Sequence, residues 1–332
     1  MIPKPLTYKA YTLIFFMLFS IAVRAEADVQ RAKALFQEGL TLYQQRYSAI
    51  AITPLEKAAK LGHAEAAYRV GEILRRRYTY ISEEAEAYYR QAAEGGEVYA
   101  MLRLGQKGNF CGTLRECDSN REQWLDRALE TALPKATSGD QEAMMELFSV
   151  YWAAGDRDKA FEWTKKAAQI GNSFAQYWLA VGLLDEREMG FYWTEKGRRE
   201  DVLKWLRASA ENGFPKAMLR LAGELRADGL FDEANEWVDR LGQTDYFDAL
   251  FNYGLILLDG PDGMYRYPQA RPVEGLAMLI ALHNQRGSST VKREIDIFKE
   301  TLDSEVIAEA EARAKGLLID TPVIYYLPKF GI

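Results

Sequence analysis

The sequence predicts an all-α protein built as a solenoid of helix-turn-helix repeats, and three observations predict it. A short frame, in which a glycine is followed four residues later by an alanine, recurs along the chain. An apolar residue stands two positions after that alanine in every copy. In several helices that precede the glycine, an aromatic residue also stands three positions after a small or branched one. Self-similarity at a period of about 20–50 residues is the signature of repeat proteins.

The frame joins the end of one helix to the start of the next. Its five good copies and one degenerate copy carry Gly62/Ala66, Gly96/Ala100, Gly139/Ala143, Gly171/Ala175, Gly213/Ala217 and Asp245/Ala249. Glycine suits the left-handed conformation that closes a helix, and alanine lets two helices approach closely. The good glycines are 34, 43, 32 and 42 residues apart, so several repeats carry insertions.

Two further columns of the repeat predict core packing rather than a ligand site. The column that follows the frame alanine contains Tyr68, Leu102, Met145, Tyr177, Leu219 and Phe251. The aromatic column of the preceding helices contains Tyr88, Trp163, Trp205 and Trp237. Aromatic and aliphatic residues at helical spacing form the buried stripe of an amphipathic helix.

The stretch Ala160–Ala175, with Ala160, Trp163, Ala167, Ala168 and Gly171 in register, is the best copy of the repeat. It resembles the Sel-like repeats (SLR), which are relatives of the tetratricopeptide repeats (TPR), and the likeness runs from about Val29 to about Gly316. The resemblance implies a right-handed α-solenoid over residues 26–316. Residues 317–332 would then form an apolar C-terminal tail, which either packs back on the last helices or adds a partner contact.

Residues 1–25 have the anatomy of a secretory signal peptide. Lys4 and Lys9 precede an apolar run over residues 10–23, and a small-x-small signal ends at Ala25. An uncleaved membrane anchor is the alternative, but this run of 14 residues is short of the roughly 20 that span a bilayer. We therefore predict a secreted, periplasmic protein without a stable membrane anchor.

The charge of the chain argues against nucleic acid as a partner. Cleavage after Ala25 would remove three basic residues and no acid, which takes the formal charge from −6 to −9. Phosphate backbones require Lys and Arg, whereas an acidic protein suits a basic partner surface. The alternative is that the negative charge only keeps the protein soluble.

Cys111 and Cys117 are the only cysteines of the chain. In an oxidising compartment, two cysteines this close in a loop predict one disulfide that pins a small loop. A redox pair is the alternative, although the spacing is not that of a C-x-x-C motif.

The sequence contains no recognisable catalytic motif. His63 and His283 stand alone, and zinc-site spacings, nucleophile elbows and glycine-rich phosphate loops are missing. We therefore predict a protein that is not an enzyme and that uses no cofactor or metal.

A row of first-helix positions is the predicted partner-binding surface. These positions flank the frame alanine one residue before it and three after it, so each pair shares a helix face. We expect the row to include Arg69, Tyr99, Arg103, Glu142, Glu146, Phe174, Trp178, Lys216 and Arg220. Trp, Tyr and Arg are enriched in binding hot spots. Packing of Phe174 and Trp178 against the insertion Asp185–Arg199 is the alternative.

Function follows from the resemblance alone. Secreted bacterial SLR proteins include immunity proteins that neutralise type VI-secreted phospholipase effectors, which implies a protein-binding inhibitor of a basic-faced effector. A scaffold or adaptor in polysaccharide export or secretion machinery is the alternative, and the missing lipobox disfavours it. An enzyme is the third hypothesis, because some disulfide-rich SLR proteins have been suspected to bind cell-wall fragments.

Overall fold

The computed structural model describes residues 8–78, 81–105, 120–185, 192–327 and 329, with side chains described from Glu26 onward. Within those residues there are sixteen α-helices, a 3₁₀ turn at Gly260–Asp262 and no strand beyond one isolated bridge. The all-α prediction is therefore confirmed.

The chain divides into two compact units, Met1–Ala128 and Leu129–Ile332. The helices of the first unit are α1 (Tyr8–Gln44), α2 (Ser48–Lys60), α3 (Ala64–Tyr78), α4 (Glu83–Glu94) and α5 (Val98–Leu104), and α6 (Arg121–Thr137) crosses the division. The helices of the second unit are α7 (Gln141–Ala154), α8 (Arg157–Gln169), α9 (Ser173–Leu184), α10 (Glu195–Glu211), α11 (Pro215–Ala227), α12 (Phe231–Leu241), α13 (Phe247–Asp259), α14 (Pro272–Arg286), α15 (Ser289–Thr301) and α16 (Ser304–Ala314).

Within each unit, helices pack mainly against their neighbours in sequence. From α1 to α5, and again from α7 to α14, each helix packs on the next, and α14 also packs on α16. This nearest-neighbour pattern is the architecture of a helical repeat array. The predicted cleavage point after Ala25 lies within α1. In the part of the chain that is described, no helix is both long enough and apolar enough to cross a bilayer.

The turn between paired helices explains why the frame has a fixed spacing. All five frame glycines have φ between +82° and +98°, the left-handed conformation that a side chain disfavours. The next residue is the N-cap, and in several copies its side chain accepts a hydrogen bond from the amide of the frame alanine. These bonds join Ala66 N to His63 Nδ1 (3.2 Å), Ala143 N to Asp140 Oδ1 (3.0 Å) and Ala175 N to Asn172 Oδ1 (2.8 Å). Glycine and alanine are thus four residues apart because one ends a helix and the other receives the cap of the next.

The predicted core columns are only partly confirmed. All six frame alanines are buried, and so are Tyr68, Leu102 and Met145. From α9 onward, Tyr177, Leu219 and Phe251 are half-buried. The aromatic column behaves similarly, since Trp237 is buried while Tyr88, Trp163 and Trp205 are half-buried.

After α16 the chain turns back over the second unit as an extended stretch, here called the return segment (residues 321–327 and 329). Its backbone pairs with the start of α13, since Phe247 N donates to Ile324 O (2.9 Å) and Ile324 N donates to Asp245 O (2.9 Å). Val323 is fully buried, and its amide donates to Gln285 Oε1 of α14 (2.7 Å). The segment therefore packs on the last helices, which is one of the two predicted placements of the tail.

Candidate functional site

The predicted binding row is not one surface, because its first-unit members are part of the core. Arg69, Tyr99 and Arg103 are only 5%, 6% and 1% exposed, and Glu146 of α7 is 8% exposed. The expectation that these four residues face solvent is wrong. The sequence pattern placed them on an outward face, but the structure buries all four.

Arg103 is buried because α3 supplies its counter-ion. Glu72 accepts hydrogen bonds from Arg103 Nε (2.7 Å), from Arg75 Nη2 (3.1 Å) and from the Tyr89 hydroxyl (2.7 Å). Burial alone would raise the pKa of Glu72, but the two guanidinium groups and their hydrogen bonds outweigh it and hold that pKa at about 2. This cluster links α3, α4 and α5, so Arg103 is part of the core of the first unit.

Arg69 is enclosed in a comparable way. Its Nη2 donates to Glu65 (2.9 Å), and its guanidinium lies 5.6 Å from the Tyr43 ring centroid and 5.8 Å from that of Tyr68. The ring of Tyr99 is itself 6.2 Å from that of Tyr68. These residues stabilise the first unit by cation–π and aromatic packing.

The second unit, by contrast, carries a continuous row of aromatic rings across α7, α9 and α11. This aromatic row consists of Trp152, Phe148, Trp178, Phe174, Phe214 and Tyr326. The successive centroid distances are 5.7 Å (Trp152–Phe148), 6.0 Å (Phe148–Trp178), 6.2 Å (Trp178–Phe174), 6.2 Å (Phe174–Phe214) and 4.6 Å (Phe214–Tyr326). Adjacent rings therefore lie within the range of aromatic pairing along its whole length.

The row is most open at its α7 end. Trp152 is 42% exposed, and the Arg157 guanidinium lies 3.4 Å from its ring centroid. Phe174 and Trp178 are half-buried and contact Phe148 and Phe214 in the row. Trp178 Nε1 is buried without a hydrogen-bond partner among the described residues. These ring contacts account for the partial burial of Phe174 and Trp178.

Of the six rings in the row, sequence reasoning predicted only Phe174 and Trp178 as binding residues, and it missed Trp152, Phe148, Phe214 and Tyr326. Phe214 departs from the repeat at a defined position. It occupies the N-cap position of α11, where other copies of the repeat place a capping side chain. A phenyl ring cannot accept the capping hydrogen bond, and instead it lies 5.2 Å from the Tyr177 ring and 4.6 Å from Tyr326. The available signal was a frame glycine followed by a residue that cannot cap a helix.

An open cavity of about 570 Å³ lies beside the row, between α9, α11 and the start of α13. Its walls include Tyr177, Leu219, Tyr246 and Tyr265, together with the cations Lys216, Arg220 and Arg226. Burial lowers the pKa of Lys216. The predicted positions Lys216 and Arg220 therefore share one cavity, and part of the predicted core column faces it.

The single carboxylate in the cavity lining is already engaged. Glu224 pairs with Arg220 Nε (2.8 Å) and also with Arg199 of α10. Arg199 further reaches Asp228 (3.0 Å), so α10 and α11 are joined by an ion-pair network.

The return segment lies along the same face. Tyr325 stacks on Phe247 (4.7 Å), and Tyr326 meets Phe214 with Lys216 Nζ 5.8 Å from its ring centroid. At the far end, Lys329 Nζ contacts Glu142 Oε1 of α7 at 2.6 Å. The segment thus touches Glu142 and Lys216, two residues of the predicted row, and reaches α7, α11 and α13.

The described side chains contain no group of three or more His, Cys, Asp or Glu that could hold a metal ion. Cys111 and Cys117 lie outside the described residues, so the predicted disulfide stays a prediction.

No family model matches the chain. An F-box protein of Arabidopsis thaliana is 32% identical over 98 residues, which are 30% of this chain and 26% of that protein. The chain therefore matches about a quarter of that relative's length.

Among solved structures, a protective antigen of uropathogenic Escherichia coli with an SLR fold is 17% identical, with a TM-score of 0.48, covering 88% of this chain and 62% of that one. A Sel1 repeat protein from Oxalobacter formigenes is 21% identical, with a TM-score of 0.36, covering 68% and 94%. The immunity protein Pa5087 from Pseudomonas aeruginosa is 18% identical, with a TM-score of 0.37, covering 58% and 70%. Each TM-score is below 0.5, so the description of the fold rests on the helices and turns of this chain.

Proposed function

We propose that this chain is a Sel-like repeat protein that binds another protein through the aromatic row of its second unit. The observation that carries the proposal is the continuous row of ring contacts from Trp152 to Phe214, which is open at Trp152 and flanked by a cavity with three cationic side chains. Large amphipathic rings with low conformational entropy, next to Arg and Lys, are typical of binding hot spots.

We further propose that the protein acts in the periplasm as an immunity protein against a type VI-secreted phospholipase effector. This finer assignment rests on the resemblance of the stretch Ala160–Ala175 to SLR proteins and on the signal-peptide anatomy of residues 1–25. The excess of acidic over basic residues suits a partner with a basic face.

One experiment tests both whether the chain captures an effector and whether it protects the host from that effector. The tagged full-length chain is co-expressed with periplasmic phospholipase effectors, and both retention of the effector and growth of the host are measured. We expect one effector to be retained and its toxicity to be suppressed. If the chain retains no effector and protects against none, the immunity assignment is wrong; retention of polysaccharide-export components instead would favour a scaffold.

A separate measurement tests whether the protein is located in the periplasm. Amino-terminal sequencing of the chain recovered from a periplasmic extract should begin at Glu26. Recovery of the chain only from the cytoplasm, with residues 1–25 intact, would contradict it.

A further inference from the structure

The return segment shows how this face holds an extended peptide. We propose that the track formed by α7, α11 and the start of α13 binds its partner as an extended aromatic–basic peptide, and that the return segment occupies this track until the partner displaces it. The peptide carries two adjacent aromatic residues and a cation three residues beyond the second. This inference rests on the proposed protein-binding function and specifies the chemistry of the partner.

The track provides three kinds of contact, and the return segment uses each of them. Backbone groups at the start of α13 pair with Ile324, in the manner of a strand added to an exposed edge. The rings of Phe247 and Phe214 receive Tyr325 and Tyr326. The carboxylate of Glu142 receives the ammonium group of Lys329. The backbone of the segment therefore pairs at α13, its two aromatic side chains pack at α13 and α11, and its cation binds at α7.

Only a few contacts fix the return segment to the rest of the second unit. Val323 is its one fully buried side chain, whereas Ile324, Tyr325, Tyr326 and Leu327 are half-buried. Its backbone is held by one bridge to the start of α13 and by the side chain of Gln285, which accepts from Val323 N and donates to Thr321 O. Segments with few buried side chains and few backbone hydrogen bonds open without global unfolding. The aromatic row also continues beyond the segment to Phe148 and Trp152, so an incoming peptide has further surface to use.

The charges along the track set the direction of the peptide. Lys216 of α11 lies over the Tyr326 ring in the middle of the track, and Glu142 stands at its α7 end with its side chain 63% exposed. A peptide whose cation follows its aromatic pair matches this order. A peptide whose cation precedes the pair would place that cation at the opposite end of the track, away from Glu142.

The experiment uses a synthetic peptide with the sequence of residues 321–329, titrated against two full-length chains. One is unaltered, and the other carries Val323→Asp and Tyr326→Ala, which loosen its own segment. We expect the loosened chain to bind the peptide at least tenfold more tightly, because the unaltered chain presents its own copy at high effective concentration. Equal affinities, or no binding to a loosened chain that keeps its helical circular dichroism, would overturn the proposal.

A charge swap locates the contact. A peptide with glutamate in place of Lys329 should bind the loosened chain at least fivefold more weakly, and Glu142→Lys in that chain should reverse the preference. If the chain with Glu142→Lys still prefers the peptide with lysine over the peptide with glutamate, the proposal is also overturned.

Hydrogen exchange of the unaltered chain provides a measurement that needs no substitution. The Ile324 amide should exchange at least a hundredfold faster than amides in the middle of α13. Exchange of Ile324 only with global unfolding would show that the segment is a fixed part of the fold. The peptide assay requires no effector, so its failure is distinguishable from failure of the capture experiment.

Discussion

At the residue scale, two arginines at the same position of the repeat have opposite environments. Arg103 and Arg220 both stand three residues after a frame alanine. Arg103 is 1% exposed because Glu72 of the preceding repeat faces it, whereas Arg220 has a side chain that is 47% exposed and pairs with Glu224 on its own helix. The local pattern is identical, and the difference comes from a carboxylate in another repeat.

The buried cluster around Glu72 leads to a stability prediction. Glu72→Gln would leave Arg103 and Arg75 buried without a counter-charge, so we expect the free energy of unfolding to fall by about 3–5 kcal/mol. Urea denaturation measures it. Glu162→Gln is the matched control, because its pair with Lys166 is exposed and should contribute less than about 1 kcal/mol. Similar losses from both variants would contradict the role of the cluster.

The same cluster sets a pH dependence. The pKa of Glu72 lies at about 2 in the folded chain, below its ordinary value of 4.5. A carboxyl with a depressed pKa contributes stability above the unfolded value and loses it as the pH falls through the folded value. The contribution of Glu72 should therefore be complete above pH 4.5 and disappear towards pH 2. A wild-type-minus-Glu72→Gln difference in unfolding free energy that stays constant between pH 5 and pH 2.5 would contradict this.

At the scale of single elements, the packing of each helix decides what its interior glycine can tolerate. A Cβ added at Gly223 of α11 would meet only the Tyr265 hydroxyl, at 3.7 Å, because the residue faces the cavity. A Cβ added at Gly71 of α3 would come within 2.6 Å of the Tyr89 ring. One glycine is therefore replaceable, and the other marks a close contact between α3 and α4.

We predict opposite effects of alanine at these two positions. Gly223→Ala should raise the free energy of unfolding by about 0.5–1 kcal/mol, since alanine is the better helix former. Gly71→Ala should lower it by about 1–3 kcal/mol through overpacking. Thermal unfolding of both variants measures this, and a destabilised Gly223→Ala variant would mean that the cavity wall is packed more tightly than described.

Much of each element could be predicted from the sequence, because the signals are local. The glycine that ends a helix and the alanine amide that receives the next cap are neighbours in the chain, so the frame located these turns. The placement of Phe214 could not be predicted in this way. Its ring is buried by Phe174, Tyr177 and the distant Tyr326, and a contact over that separation has no local pattern.

At the scale of the whole molecule, the candidate binding surface belongs to the second unit. The predicted positions Arg69, Tyr99 and Arg103 support the core of the first unit, while Phe174, Trp178 and Lys216 remain at or beside the aromatic row. The sequence therefore identified the repeat and part of the row. The return segment, which contributes Tyr326 to the row, depends on a contact between the two ends of this unit, and repeat periodicity does not encode that contact.

The central claim is that the chain binds its partner through the aromatic row, and Trp152→Ala tests it most directly. Trp152 is exposed at the open end of the row, so its removal should weaken binding without disturbing the fold. Trp193→Ala is the matched control, because Trp193 is 90% exposed and lies outside the row.

The measurement is the affinity of each full-length variant for the captured partner by calorimetry. We predict a loss of about 2 kcal/mol, roughly 30-fold, for Trp152→Ala and little change for Trp193→Ala. An unchanged affinity of Trp152→Ala, with its helical content and melting temperature intact, would contradict the account.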